Sequence, residues 1–430
     1  MTDCLRSQES KGSRNVRFLF LCVLLFAILS SLMMILRTHG QSMSTLLFNN
    51  VNDTWMDLFN PISFTASGVP YEYVDMGAIY PPMAYLVFHL FEFFFPINQL
   101  YDLTSYEYRF TQAGFLLAIL YTLICSALFV YFLYRKLQDK EAVRILFPLS
   151  IILSGPYLYL MERGNILLLT LLLLTGFVIG QDSPKRIVRE FSFVCLALAA
   201  AIKIYPAIFG LWLIQQKRYK EAIRCAVYGI LCFFVPFYFF GGLPTVKVFL
   251  DNLVTYTGSE SLAAAGIGYR VDLAAIFGNI SLFTHGSAAP GVSFGNAIII
   301  PMALLILINF IILKKSWKKM LCLTVLMVAL PSFSYTYAMV FYSLPALFFL
   351  MDKHHTRTDY CYALCLAGTL APLAFGQTQF FSGFDTGYPL TLTVFVENLC
   401  QFLLILILSI QALGRSVLFL KDRRHAKRVL

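Results

Sequence analysis

The chain has 430 residues, 59% hydrophobic and 16% aromatic, with 13% charged residues and a mean hydropathy of +0.72. Soluble proteins carry about 25% charged residues, so charge this sparse excludes a water-soluble globule, and disordered and fibrous classes with it. A mass of 48.7 kDa leaves no room for a separate soluble catalytic domain, and the chain is expected to work in or on a bilayer.

The net charge of +10 is gathered into short basic clusters between apolar runs: Arg6–Arg17, Arg135–Arg144, Lys185–Arg189, Lys217–Arg224, Lys314–Lys319, Lys353 with Arg357, and Arg415–Arg428. All but six of the 33 Lys and Arg lie in them, the exceptions being Arg37, Arg109, Arg163, Lys203, Lys247 and Arg270. Basic residues accumulate on the cytoplasmic side of membrane proteins. The placement therefore argues for membrane lipids as surroundings and against a nucleic-acid partner. None of the ten cysteines falls in a segment placed outside, so no disulfide framework is indicated.

With the clusters taken as cytoplasmic, residues 1–17 form a basic N-terminus, 18–413 one transmembrane domain, and 414–430 a basic cytoplasmic tail. The apolar run 18–36 is long enough to span and reads as an uncleaved anchor. An outer loop, 37–81, holds Asp53, Asp57, Glu72 and Asp75. The short apolar segment 83–96 stops at Pro96 and is expected to be re-entrant or juxtamembrane. Helix 110–134 returns, and 145–161 with 166–180 form a hairpin tipped by Glu162-Arg163-Gly164-Asn165.

Residues 191–214 are apolar yet lie between two basic clusters, so both ends belong on one side and a straight helix is excluded. The centre, Lys203-Ile204-Tyr205-Pro206, predicts a break, because proline disfavours helix at the residue before it. Two half-helices are expected here, and again over 320–351 around Pro331–Tyr337. Irregular backbone at membrane depth is tolerated only where it lines a cavity or is buried in protein. Helix 225–241, a second outer loop over 242–293, and helices 294–313, 359–376 and 391–413 complete the chain. The expected fold is an all-α polytopic membrane bundle of about eight full crossings plus two bent half-helix pairs, with both termini inside.

Polar residues converge on the outer side. Asn52-Asp53-Thr54-Trp55-Met56-Asp57 precedes Ile79-Tyr80-Pro81-Pro82, where paired prolines open a helix without losing a hydrogen bond. An acidic outer loop, that Tyr-Pro-Pro entry, the Arg163-Gly164-Asn165 tip before a leucine run, and Ala199-Ala200-Ala201-Ile202-Lys203-Ile204-Tyr205-Pro206 together resemble the GT-C glycosyltransferases. The chain is most similar to glycosyltransferase family 87 and its polyprenol-phosphate-mannose-using relatives. Pro331-Ser332-Phe333-Ser334-Tyr335-Thr336-Tyr337 resembles that group's Pro-x-x-Trp-x-His-Tyr stretch.

The resemblance implies a cofactor-free hexosyltransferase of the cell membrane, moving a mannose-like sugar from a polyprenyl-phosphate donor to a glycan or lipid acceptor on the outer face. A phosphate departs without a general acid, so the minimum kit is one carboxylate, to take the acceptor hydroxyl proton, and one cation. The family pattern places its loop aspartate about a dozen residues before a glycine, here Gly68, which points to Asp57, with Asp53 second. Lys203 is the first candidate for the donor phosphate, since an intramembrane charge usually faces a cavity or a partner; Glu92 or Glu397 could instead pair with it. Arg163 and Arg270 come next, because guanidinium suits phosphate geometry, although Arg163 could pair with Glu162. Tyr80, Tyr205, Tyr335 and Tyr337 are candidate substrate-lining residues, packing on sugar or prenyl chain.

No histidine or cysteine grouping has metal-ligand spacing, so no metal is expected. Asn52-Asp53-Thr54 and Asn279-Ile280-Ser281 are formal glycosylation sequons. A secondary transporter or flippase, which also uses broken helices and midplane charges, is the rival reading, and an envelope-assembly subunit a third.

Overall fold

The computed structural model describes residues 11–48, 50–66, 68–72, 78–96, 104–258, 267–375 and 391–429. Asp75 and Glu260 of the expected outer loops, and Arg6, lie outside the described residues. Within them every regular element is a helix, and the only β-type pairing is an isolated bridge between Arg270 and Tyr335.

α1 (Lys11–Arg37) starts inside the expected N-terminal tail. The first outer segment is not an open loop. It folds through short 3-10 turns into α2 (Met56–Ala66), whose Leu58, Phe59 and Ile62 are fully buried. α3 (Pro82–Phe94) opens on its prolines, and α4 (Gln112–Lys136) is capped by Thr111, whose hydroxyl accepts from the Gly114 N–H. At about 1.5 Å per residue, the 13 residues of α3 fall short of a span.

The expected straight helix over 145–161 is broken. α5 (Glu141–Ile152) and α6 (Gly155–Arg163) meet at 50°. Ser154 caps α6 by accepting from the Tyr157 N–H, and Pro156 sits in its first turn, where a missing N–H has no cost. Gly164, at φ 63°, ends α6, and α7 (Leu167–Gly180) follows. α8 (Arg186–Ile202) stops at Lys203; a 3-10 turn, Tyr205–Gly210, leads into α9 (Leu211–Gln215).

α10 (Tyr219–Phe234) leads into the second segment expected to be an outer loop, which is again helical: α11 (Pro244–Gly258), α12 (Leu273–His285) and α13 (Ala289–Ala297). α13 meets α14 (Ile299–Ile312) at 47°. The remaining elements are α15 (Ser316–Val328), a 3-10 turn over Thr336–Tyr342, α16 (Ser343–Met351), α17 (Asp359–Gly368) and α18 (Leu392–Val429).

Among the described residues four helices are long and apolar enough to cross a bilayer, or six if each bent pair is one span, against the eight expected. The shortfall has a simple cause: α7 and α17, with 14 and 10 helical residues, are too short for a span of about 30 Å. Both helices expected to bend are interrupted, at Lys203-Ile204 and over 329–335.

The two ends of each interrupted segment lie side by side. Beyond the first, Arg218 donates to the Gln181 carbonyl at 2.8 Å, and Arg189 meets Glu221 at 3.3 Å. Beyond the second, Lys315 stands 3.0 Å from Asp352 and 3.2 Å from Asp359. The chain enters and returns. Basic clusters thus meet carboxylates at one end of the bundle, where Arg17 also pairs with Asp139.

The Asn279 sequon is no loop site: Asn279 lies in α12 and its amide donates to the Ile267 carbonyl at 3.1 Å. Here α12 and α13 approach too closely for side chains. A methyl group on Gly291 would fall 2.0 Å from the Phe277 carbonyl oxygen, and one on Gly295 2.6 Å from the Ala274 Cα. Gly291→Ala and Gly295→Ala are each expected to cost about 1–3 kcal/mol through overpacking, read as a lowered Tm in detergent. Gly229→Ala, with nothing within 4 Å of the new methyl, should leave Tm in place.

Candidate active site

Asp57 stands in the first turn of α2, and two left-handed residues aim its surroundings. Trp55, at φ 63°, donates its backbone N–H to the Glu162 carbonyl at 2.8 Å. Gly164 turns the chain out of α6, so that Arg163 and Asn165 both reach Asp57. Arg163 Nη2 donates to Asp57 Oδ1 at 2.6 Å, and Asn165 Nδ2 to Oδ2 at 2.7 Å. Arg163 does not rely on Glu162: it lies over the Phe48 ring at 4.9 Å and donates to the Asp53 carbonyl at 2.9 Å. Asn165 is fixed in turn. Its Oδ1 accepts from the Leu167 N–H at 2.9 Å, and its carbonyl from the Tyr121 hydroxyl at 2.9 Å.

Arg109 secures the approach to this carboxylate, donating to the carbonyls of Asn52 at 2.6 Å and Thr54 at 3.1 Å. The Thr54 hydroxyl donates to Glu162 Oε1 at 3.0 Å.

Lys203 occupies the break after α8 with an extended backbone, φ −139°. Its ammonium sits 4.0 Å from the centre of the Tyr80 ring, a cation–π contact. Among the described residues no carboxylate stands within ion-pair distance of it, so neither Glu92 nor Glu397 is its partner; Glu397 accepts from the Thr336 hydroxyl instead. Tyr80 is itself held, its carbonyl accepting from the Tyr71 hydroxyl at 3.1 Å.

These groups face one cavity of about 270 Å³. Of the nine residues selected from the sequence, Asp57, Arg163, Lys203, Tyr80, Tyr335 and Tyr337 line it. Asp53, Tyr205 and Arg270 do not. The Asp53 carboxylate lies 3.8 Å from Arg163, beyond the wall. Tyr205 packs edge-on against Phe341. Arg270 is buried, bidentate to Asp272 at 2.9 Å through each oxygen, with its guanidinium 4.6 Å from the Phe333 ring centre. It therefore braces the wall from behind, with Phe333 at φ 60° turned against it.

Sequence reasoning did not select Asn165, Tyr159, Phe48 or Tyr256. Tyr159 precedes Arg163 by one helical turn on α6, a spacing that places both on one face. Asn165 belongs to the tip motif itself. Tyr256 has no local signal; it reaches the cavity from α11. Burial, and then the Asp57 carboxylate, push its phenol above the ordinary range, so it stays protonated.

The arrangement joins a held carboxylate to an ammonium across a small, phenol-rich cavity. That suits proton removal beside an anion. No group of three His, Cys, Asp or Glu able to hold a metal ion occurs among the described residues.

The family model for glycosyltransferase family 87 matches residues 78–330, more than half of the chain. The matched stretch contains Tyr80, Arg163, Asn165 and Lys203; Asp57 precedes it, and Tyr335 and Tyr337 follow. No curated protein and no solved structure matches.

If Arg109 secures the aspartate segment, Arg109→Ala should speed amide hydrogen exchange over 51–55 by about tenfold or more, through local opening. Lys247→Ala, which removes only an exposed pair with Asp251, is the control and should leave those amides unchanged.

Proposed function

The chain belongs to glycosyltransferase family 87, and we propose on that premise that it moves a mannose-like hexose from a polyprenyl phosphate to a hydroxyl of a glycan or lipid acceptor. The observation that carries the reading is Lys203. Among the described residues no carboxylate stands at ion-pair distance from its ammonium, yet it faces the same cavity as the held Asp57. An unpaired charge in an apolar setting is costly, and a lipid phosphate supplies the missing anion while its chain stays in the bilayer.

The transfer assigns each group one task. The acceptor oxygen bonds to the anomeric carbon as that carbon's bond to the phosphate oxygen breaks. Asp57 takes the acceptor proton, and the phosphate leaves with the electron pair, its charge met by Lys203. Arg163 and Asn165 hold the carboxylate in one orientation while leaving it lone pairs for the acceptor. Asp53 is the alternative base, at greater distance from the cavity.

The gathering of basic clusters at one end of the bundle supports cytoplasmic termini and a site facing outside the cell membrane, or the lumen in a eukaryotic cell. It also supports eight crossings, with α7 and α17 completing their spans through the turns that flank them.

In membranes given polyprenyl-phosphate sugar, Asp57→Asn should lower turnover by about 100- to 10,000-fold. Retained turnover removes Asp57 from the mechanism. Asp53→Asn should stay within a few-fold of the parent, and the reverse ranking transfers the base role to Asp53. Lys203→Met should raise the donor KM by about tenfold or more, as expected for a lost charge-assisted bond, with Lys203→Arg recovering part of it. An unchanged KM in the Met variant moves the phosphate elsewhere.

A further inference from the structure

Tyr159 and Tyr337 belong to a ladder of phenols. Tyr269, Tyr159, Tyr337 and Tyr335 follow one another with ring centres 6.1, 5.8 and 5.8 Å apart and planes 7°, 22° and 27° from parallel. Each inner ring has two stacked neighbours. The expectation that Tyr337 packs its ring on sugar or prenyl chain therefore meets an obstacle, because the inner faces are taken up by one another.

The inner rings leave their edges free. Both residues line the cavity, and neither phenol has a hydrogen-bond partner among the described residues. Their oxygens are open to the cavity rather than sealed in the core. Three other buried phenols differ: Tyr121, Tyr157 and Tyr342 each donate to a protein oxygen, at 2.9, 2.8 and 2.8 Å. A buried tyrosine hydroxyl usually finds a partner. Two neighbouring ones without a protein acceptor, on the wall that holds Asp57 and Lys203, call for acceptors brought by a ligand.

The two do not face the same part of the site. Tyr337 stacks on Tyr335 and shares the cavity wall with Tyr80, the ring under Lys203. Tyr159 lies on α6 one helical turn before Arg163, which holds Asp57.

We infer that both tyrosines act on the substrate through their hydroxyls and not their rings: Tyr337 donates to an oxygen of the lipid phosphate, and Tyr159 to a hydroxyl oxygen of the transferred sugar. Stacking is what fixes the donors. Rings held against each other keep the two O–H groups at set positions, so little rotational freedom is lost when substrate arrives. The inference rests on the lipid-phosphate reading above and adds the groups that recognise each half of the donor.

Phenylalanine tests this directly, since it keeps the ladder and removes only the hydroxyl. The probe is undecaprenyl phosphate, titrated into the detergent-solubilised full chain and followed by thermal shift, with turnover of polyprenyl-phosphate sugar measured in parallel. Tyr337→Phe should weaken undecaprenyl phosphate about tenfold. Tyr159→Phe should bind this sugar-free lipid as the parent does, yet lose about tenfold in kcat/KM for the sugar-bearing donor. Parental behaviour of Tyr337→Phe in binding, or of Tyr159→Phe in turnover, overturns the role of that hydroxyl. If Leu variants fail where the Phe variants remain whole, the rings act by packing and the inference is wrong. A parent protein that does not bind undecaprenyl phosphate at all sinks the donor reading itself. Equal Tm values for the parent and the Phe variants without ligand show that the ladder has stayed intact.

Discussion

Two side chains from one turn, Arg163 and Asn165, grip the Asp57 carboxylate, and the cavity is arranged around that attachment. The grip joins α2 to the α6–α7 hairpin, elements far apart in sequence. Backbone bonds reinforce it, since Trp55 donates to Glu162 and Arg109 draws in the carbonyls ahead of α2. Hydrogen bonds to charged groups contribute about 1.5–3 kcal/mol each, so the carboxylate serves as an anchor as well as the proposed base. The two roles are compatible because a carboxylate has about four acceptor positions and the turn occupies two.

The interrupted segments obey a different constraint. Backbone that leaves the helix at membrane depth must find its partners within the protein. Over 329–335 those partners come from the second outer segment and α18. The Val271 N–H donates to the Ser334 carbonyl at 2.7 Å, and the Leu273 N–H to Ala329 at 2.8 Å. Gln401 and Asn398 then donate to the Val271 and Arg270 carbonyls, at 2.6 and 3.2 Å. Arg270 and Asp272 neutralise each other inside this junction. Arg270 thus stands behind the wall against its carboxylate, while Lys203, with none at ion-pair distance among the described residues, stands in it.

Much of this was legible in the sequence where charge and proline speak directly. Pro206 and Pro331 marked both breaks, and sorting cations by cluster isolated Arg163 and Lys203. What stayed hidden involved charges that cancel and helices that begin mid-span. The topology made 242–293 read as an outer loop, although Arg270 and Asp272 within it are buried against each other and α12 behind them is apolar. The break between α5 and α6 had its signal in Ser154-Gly155-Pro156, a cap followed by a first-turn proline, which the surrounding apolar run concealed. Tyr159 needed only the four-residue spacing to Arg163. Tyr256 and Phe48 could not be found this way, because long-range packing alone brings them to the cavity.

The tyrosine ladder has a consequence for how the chain is made. The holders of Asp57 are complete once residue 165 exists, and Lys203 follows soon after. The rungs at Tyr269, Tyr335 and Tyr337 come well after Lys203 in the chain. Synthesis from the N-terminus therefore assembles the charged floor of the cavity first, with its carboxylate already engaged, and closes the phenolic wall last. A nascent chain carries both charges of the cavity well before it carries the phenols that face them.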